Sequence, residues 1–303
     1  MGEQHPVTGP SKPKNFATGP AGAGLAIAYI FLWASAYVPS KVASIESQPL
    51  WFLVARFTTA GLLLGGLALL LGQRFPTSAR GWLVGSALGI LANALYLGLT
   101  YTALHHLSSG MGAIVASTNP LVLAAVAPAL LGEALSLRKG AGLVLGFGGV
   151  LAIVVARSGT GGAAPADVAV AFAGVCASVA STVLYKRWAV EEPLLPLSAI
   201  QLCAAGLVLV PVAALSSGAP HVHATPELLA SFGYLVIVLS IGATLLWFWL
   251  LTHGEASRVS AYYYLTPAFG LVLAALLLHE PIGVRDLAGL AAIAAGIVLA
   301  QRG

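Results

Sequence analysis

The chain has 303 residues, of which 58% are hydrophobic and 8% charged, with a formal net charge of +4. Soluble domains carry roughly 25% charged residues, so this composition excludes a water-solvated globular enzyme. The apolar residues form continuous blocks of about 20, long enough to cross roughly 30 Å of hydrocarbon as helices and too uniform for the alternating strands of a barrel.

In chain order, residues 1–21 are polar, rich in Pro and Gly, and are read as a disordered tail. The first apolar block, 22–43, is followed by further blocks and is therefore expected to be an uncleaved span, not a signal peptide. Further spans are expected at 49–72, 81–104, 108–132, 139–157, 166–188, 194–216, 227–252, 257–279 and 284–301, giving ten. Several links are only a few residues long, so neighbouring spans form antiparallel hairpins with no soluble domain between them. With the N-terminus inside, ten Lys and Arg residues fall on the inner side; Lys41, Arg157 and Arg285 fall outside, and Arg56 lies within a span. That excess predicts that both termini are cytoplasmic. The bases are dispersed, so topology accounts for the positive charge and no nucleic-acid partner is expected. Cys176 and Cys203 lie within apolar blocks and suggest neither a disulfide nor a metal cluster.

A shift of 147 positions superposes the two halves, placing Pro120 on Pro267, Glu133 on Glu280, Arg138 on Arg285, Gly142 on Gly289, Gly149 on Gly296 and His106 on His253. Residues 22–157 and 166–301 then form two repeats of five spans each. An odd number of spans inserts the second repeat upside down. The fold class is therefore an all-α membrane protein with ten transmembrane helices as two inverted five-helix repeats, a plan that supports alternating access to a midplane site.

Polar side chains in hydrocarbon are costly unless they face partners or a cavity. On that ground Trp33, Tyr37, Arg56, Asn93, Tyr96, Tyr101, Asn119, Ser181, Trp247, Tyr263 and Tyr264 are candidate substrate-binding residues. Successive residues of a helix point about 100° apart, so at most two of Tyr262, Tyr263 and Tyr264 line one cavity. Trp249 is grouped with Trp247 as a stacking candidate. Pro39, Pro120 and Pro267 are candidate gating hinges, because proline removes a helical hydrogen bond. Arg56 would cost about 2.5–3.5 kcal/mol at the bilayer centre. It is read either as the anchor of a substrate carboxylate or as a group that snorkels to the interface or caps a helix.

Every Asp and Glu falls in a tail, a loop or a span end, leaving no buried carboxylate for a proton relay. The phosphate-loop, H-E-x-x-H and G-x-S-x-G signatures are absent, so neither ATP-driven pumping nor enzyme activity is expected. No cofactor or metal is expected either. The G142-x-x-x-G146 pair is compatible with helix packing within one chain or between two.

Trp33 followed by Lys41 in LWASAYVPSK, Arg56-Phe57, the STNP and YLTP turns, and LLGEALS echoed by LLHEPIG resemble the EamA-type drug/metabolite transporter superfamily. The resemblance covers residues 22–301. It implies a ten-helix inner-membrane carrier with cytoplasmic termini and a cavity between the halves. Within the superfamily the chain looks most like aromatic amino acid exporters. The expected function is export of amino acids, aromatic or otherwise apolar, or of related small metabolites, by a monomer in the bilayer. The alternative is efflux of lipophilic cationic drugs over aromatic walls.

Overall fold

The computed structural model describes residues 20–104, 115–116, 118–157, 165–189, 192–220, 224–266 and 284–302, together with positions 268, 269, 272, 273 and 276. Among these residues the chain is helical and forms no β-strand. The first half holds α1 (Pro20–Ser35), α2 (Tyr37–Glu46), α3 (Pro49–Leu70), α4 (Ala79–Gly89), α5 (Tyr96–Leu104), α6 (Asn119–Leu131) and α7 (Leu137–Arg157). The second half holds α8 (Pro165–Trp188), α9 (Leu194–Ser217), α10 (Pro226–Tyr234), α11 (Thr244–His253), α12 (Ala256–Ala261) and α13 (Val284–Gln301). A π-helical segment, Ile90–Leu95, joins α4 to α5, and a second, Leu235–Ala243, joins α10 to α11. A 3-10 turn, Tyr262–Leu265, follows α12. By length and composition, five stretches of the described residues suffice to cross a membrane: Pro49–Leu70, Ala79–Ala103, Pro165–Trp188, Leu194–Ser217 and Pro226–His253. Shorter apolar helices accompany them at Ala21–Ser35, Asn119–Leu131 and Leu287–Ala300.

The expected first span is not one helix. Pro39 has no N–H and its ring crowds the carbonyl four residues back, that of Ser35. α1 ends at Ser35, and the Ala36 amide instead makes the tighter bond to the Trp33 carbonyl at 3.2 Å. Pro120 likewise differs from a mid-span kink. It lies in the first turn of α6, where a missing N–H breaks no helical bond. At the far end of α6 the chain turns through Gly132 at φ +67°, a left-handed conformation that glycine adopts without strain.

The two halves share their boundaries at the 147-residue shift. Ala79 and Pro226 open equivalent helices, as do Leu137 and Val284, while Leu70 and Ser217 close another pair. The N-caps are equivalent too: Ser78 Oγ accepts from the Gly81 amide and Thr225 Oγ1 from the Leu228 amide, each at 3.1 Å. Both capped helices then pass through π segments that overlap at the same shift.

Equivalent helices pack antiparallel against each other. Along α3 and α9, Gly61 meets Cys203 and Gly206 meets Thr58; along α7 and α13, Gly142 meets Gly296 and Ala300, and Gly149 meets Gly289. A Cβ on Gly142 would come within 2.5 Å of the Ala300 nitrogen, so the backbones touch there and only glycine fits. The Gly142 and Gly146 pair therefore packs helices within the chain. These crossings bury two seams of small residues and leave the remaining helices to surround the interior.

Candidate functional site

Tyr29 and Trp33 stand four residues apart on α1, one above the other on a single face. Opposite them stand Trp247 of α11 and Tyr263 of the 3-10 turn. Tyr29 stacks on Trp247 with centroids 5.1 Å apart, and Trp247 meets Tyr263 edge-on at 5.3 Å. The Tyr29 and Tyr263 hydroxyls share a 2.6 Å hydrogen bond. Trp33 lies edge-on to Tyr263 at 6.3 Å and parallel to Tyr96 of α5 at 6.2 Å. Rings from both halves thus converge, and ring pairs of this kind contribute about 0.5–1.5 kcal/mol each beyond their burial. Two turns up α1 from Tyr29, the Ser35 and Tyr234 hydroxyls share a further 2.6 Å bond.

Arg56 of α3 is only 4% exposed. Its Nε donates to Ser240 Oγ at 2.8 Å, in the second π segment. The buried Tyr101 hydroxyl of α5 lies beside the same guanidinium. Among the described residues no carboxylate pairs with Arg56. Snorkelling does not describe a group buried to this degree. Ser240 and Trp247 are seven residues apart on one continuous helix, about 10 Å at the usual rise, and Tyr96 and Tyr101 link the same two places along α5. The Arg56 charge therefore lies at one end of the aromatic cluster.

The other sequence candidates are distributed as follows. Asn119 is buried and its Nδ2 donates to Ser178 Oγ at 3.2 Å; Ser181 is buried a turn further along α8. These residues form a separate polar seam between α6 and α8. Asn93 is half-buried within the first π segment. Tyr264 is fully buried against Gly146 of α7 and stands apart from the ring cluster, as the 100° turn between Tyr263 and Tyr264 requires. Trp249 also faces elsewhere, stacked on His253 at 4.2 Å. It helps to line a shallow apolar pocket with Leu194, Leu195, Leu245 and Leu246 that contains no charged side chain. Pro39 is half-buried in the first turn of α2. Pro267 and the Tyr37 side chain lie outside the described residues. Tyr29 was missed by the sequence reading, although its four-residue spacing from Trp33 was available as a signal.

At the end of the bundle nearer the rings, charged groups tie the halves together. Glu133 Oε1 accepts from the Ala256 amide at 2.8 Å, and Lys139, 3% exposed, reaches Glu255 at 3.4 Å and Glu133 at 3.9 Å. Arg258 donates to Glu255 at 2.9 Å, and Lys186 donates to the Gly254 carbonyl. At the opposite end Gln48 donates to the Ser217 carbonyl at 3.0 Å, Trp51 to the Gly218 carbonyl at 2.9 Å, and Thr225 to the Glu46 carboxylate.

Apolar helices repeated at a fixed shift, packed antiparallel about an interior of rings with a buried arginine beside it, define a multi-pass membrane transporter. The chain belongs to the EamA-like transporter family, whose model matches residues 20–155 and 166–301. It is 29% identical over 272 residues to "Uncharacterized transporter YvbV" of Bacillus subtilis (strain 168), covering 89% of this chain and 88% of that one. It is 26% identical to "Protein PecM" of Dickeya dadantii (strain 3937), with 89% of each covered, and 26% identical to "Uncharacterized inner membrane transporter YedA" of Escherichia coli (strain K12), with 92% and 90% covered. A solved crystal structure at 20% identity superposes with a TM-score of 0.77 over 92% of this chain and 96% of its own, which establishes the shared fold.

Proposed function

We propose that this chain is a secondary transporter that exports amino acids with aromatic or other apolar side chains, or closely related small metabolites, by alternating access. In this reading ten spans form two inverted five-helix repeats in the inner membrane, both termini are cytoplasmic, and the monomer is the working unit. The observation that carries the reading is the ring cluster of Tyr29, Trp33, Trp247 and Tyr263, which is drawn from both repeats. Substrate bound there contacts both halves and so responds to their relative movement. Rings suit an apolar side chain, and Arg56 about two helical turns away suits its carboxylate. The buried positive charge of Arg56 opposes lipophilic cations, which makes drug efflux the weaker alternative. The charged seam joining Glu133, Lys139, Glu255 and Arg258 keeps the cytoplasmic end closed in this conformation.

The test is uptake of labelled amino acids into proteoliposomes containing the purified chain. Saturable flux of phenylalanine, tyrosine, tryptophan or leucine is expected, and Trp33→Ala lowers it. Absence of saturable flux for every amino acid in the panel overturns the proposal.

A further inference from the structure

The two π segments fall at equivalent places in the repeat, and each carries a polar residue at the same position, Asn93 in the first half and Ser240 in the second. A π segment widens the helix and loosens its backbone bonding, and such segments recur at functional sites. Ser240 is 2% exposed and its hydroxyl is committed to Arg56 Nε. That bond leaves the Nη end of the guanidinium to meet any other partner, Tyr101 included. Arginine has five N–H groups in a planar fork, and with Nε engaged the remaining donors are those on Nη1 and Nη2. This end-on pair matches the two oxygens of one carboxylate.

A second polar group stands in the same place. The Tyr101 hydroxyl is buried beside the guanidinium with no acceptor for its proton among the described residues. Buried hydroxyls are normally bonded, and a carboxylate oxygen held by Arg56 would supply the acceptor. An amide offers one acceptor oxygen where a carboxylate offers two and turns its NH2 against donors, and an amine brings only N–H groups against a cation that has only donors to offer.

We infer that Ser240 is a positioning residue that turns Arg56 so that the free end of its guanidinium takes one substrate carboxylate, assisted by Tyr101. The site consequently selects carboxylates, zwitterionic amino acids included, over the corresponding amides. This rests on reading the ring cluster as the substrate site.

The test uses the purified full chain in detergent and measures binding of L-phenylalanine, phenylacetate and L-phenylalaninamide by calorimetry. The two carboxylates are expected to bind at least about tenfold more tightly than the amide. Ser240→Ala weakens both carboxylates about fivefold, the range of one lost hydrogen bond, and leaves the amide unchanged. Ser240→Thr restores the wild-type values, whereas Arg56→Lys does not, because an ammonium lacks the fork. Size-exclusion profiles and melting temperatures show that each variant is folded. Equal affinity for acid and amide, equal weakening of all three probes by Ser240→Ala, or no binding of any probe by the wild type overturns the inference. The transport reading fails separately: carboxylate binding without flux in proteoliposomes removes the transport assignment and leaves Ser240 in place, while amino acid flux indifferent to acid or amide does the reverse.

Discussion

α1 and α8 occupy equivalent positions in the two repeats, yet they bury different faces. On α8, Gly174 is buried so close to the Tyr96 carbonyl of α5 that a Cβ there would stand 3.1 Å from it, whereas its repeat mate on α1, Ile27, is 40% exposed. The reverse holds two residues along: Tyr29 is 3% exposed and packed among rings, while its mate Cys176 is exposed. The four central rings Tyr29, Trp33, Trp247 and Tyr263 have Cys176, Ala180, Thr100 and Ala116 as their mates. Three residues of the charged seam also differ from their mates, since those of Lys139, Glu255 and Arg258 are Asp286, Ser108 and Met111. Duplication therefore supplied two similar grooves; one is closed by small residues against backbone and the other is filled with aromatic rings. Under the proposed alternating access, two halves held in unlike arrangements are what an exchange of arrangements requires.

The comparison can be broken at several points. The largest effect is expected at the seam beneath the aromatic groove. Lys139→Met leaves Glu133 and Glu255 without their buried cation and lowers stability by about 3 kcal/mol, the low end for a buried pair because Glu255 is 37% exposed. A thermal melt of the purified chain measures this. Next comes the tight groove. Gly174→Leu drives a side chain into the α5 backbone and costs about 2 kcal/mol, whereas Ile27→Leu at the mate position stays within about 0.5 kcal/mol. Equal melting temperatures for the two variants would remove the distinction between the grooves.

A smaller effect belongs to the rings. Trp247→Ala should raise the transport KM for an aromatic amino acid about tenfold, the equivalent of about 1.4 kcal/mol, while Thr100→Ala at its mate changes it less than about twofold. A KM shift of similar size in both variants would show that the rings are not the substrate-facing element. The smallest is Tyr29→Phe, which deletes only the hydroxyl bonded to Tyr263 and should lower stability by about 1 kcal/mol. A double-mutant cycle with Tyr263→Phe measures that bond directly, and additive losses would show that it contributes nothing.

Much of the fold was legible because hydrocarbon imposes length and apolarity on each helix. The stretches over Pro49–Leu70, Leu194–Ser217 and Pro226–His253 fall within a few residues of the expected spans, and the 147-residue shift found in six identities recurs in helix ends, caps and π segments. The break at Ala36 was less legible, since hydropathy continues through Pro39 while the helix does not. At the site, Trp33, Arg56, Tyr96, Tyr101, Trp247 and Tyr263 come together from the polar and aromatic positions singled out in advance. Tyr264 and Asn119 qualified by the same criteria and face other seams. Polarity and ring content identify which residues need an unusual environment and do not say which of several interiors they share.

Two properties of this protein follow from the one-dimensional sequence: apolar blocks of spanning length and a duplication at a fixed shift. Both are matters of composition and spacing, which local hydrophobic burial and backbone hydrogen bonding translate into helices without reference to the rest of the chain. Tertiary structure alone decided which face of each duplicated helix turns inward, and hence that Tyr29 joins the rings while Cys176 faces outward. It also decided that Arg56 meets a hydroxyl on a widened helix and, among the described residues, no carboxylate. A helix rotated by one residue exchanges about 100° of its surface, and that rotation is set by close contacts such as Gly174 on the Tyr96 carbonyl and Gly142 on α13, between residues far apart in the sequence.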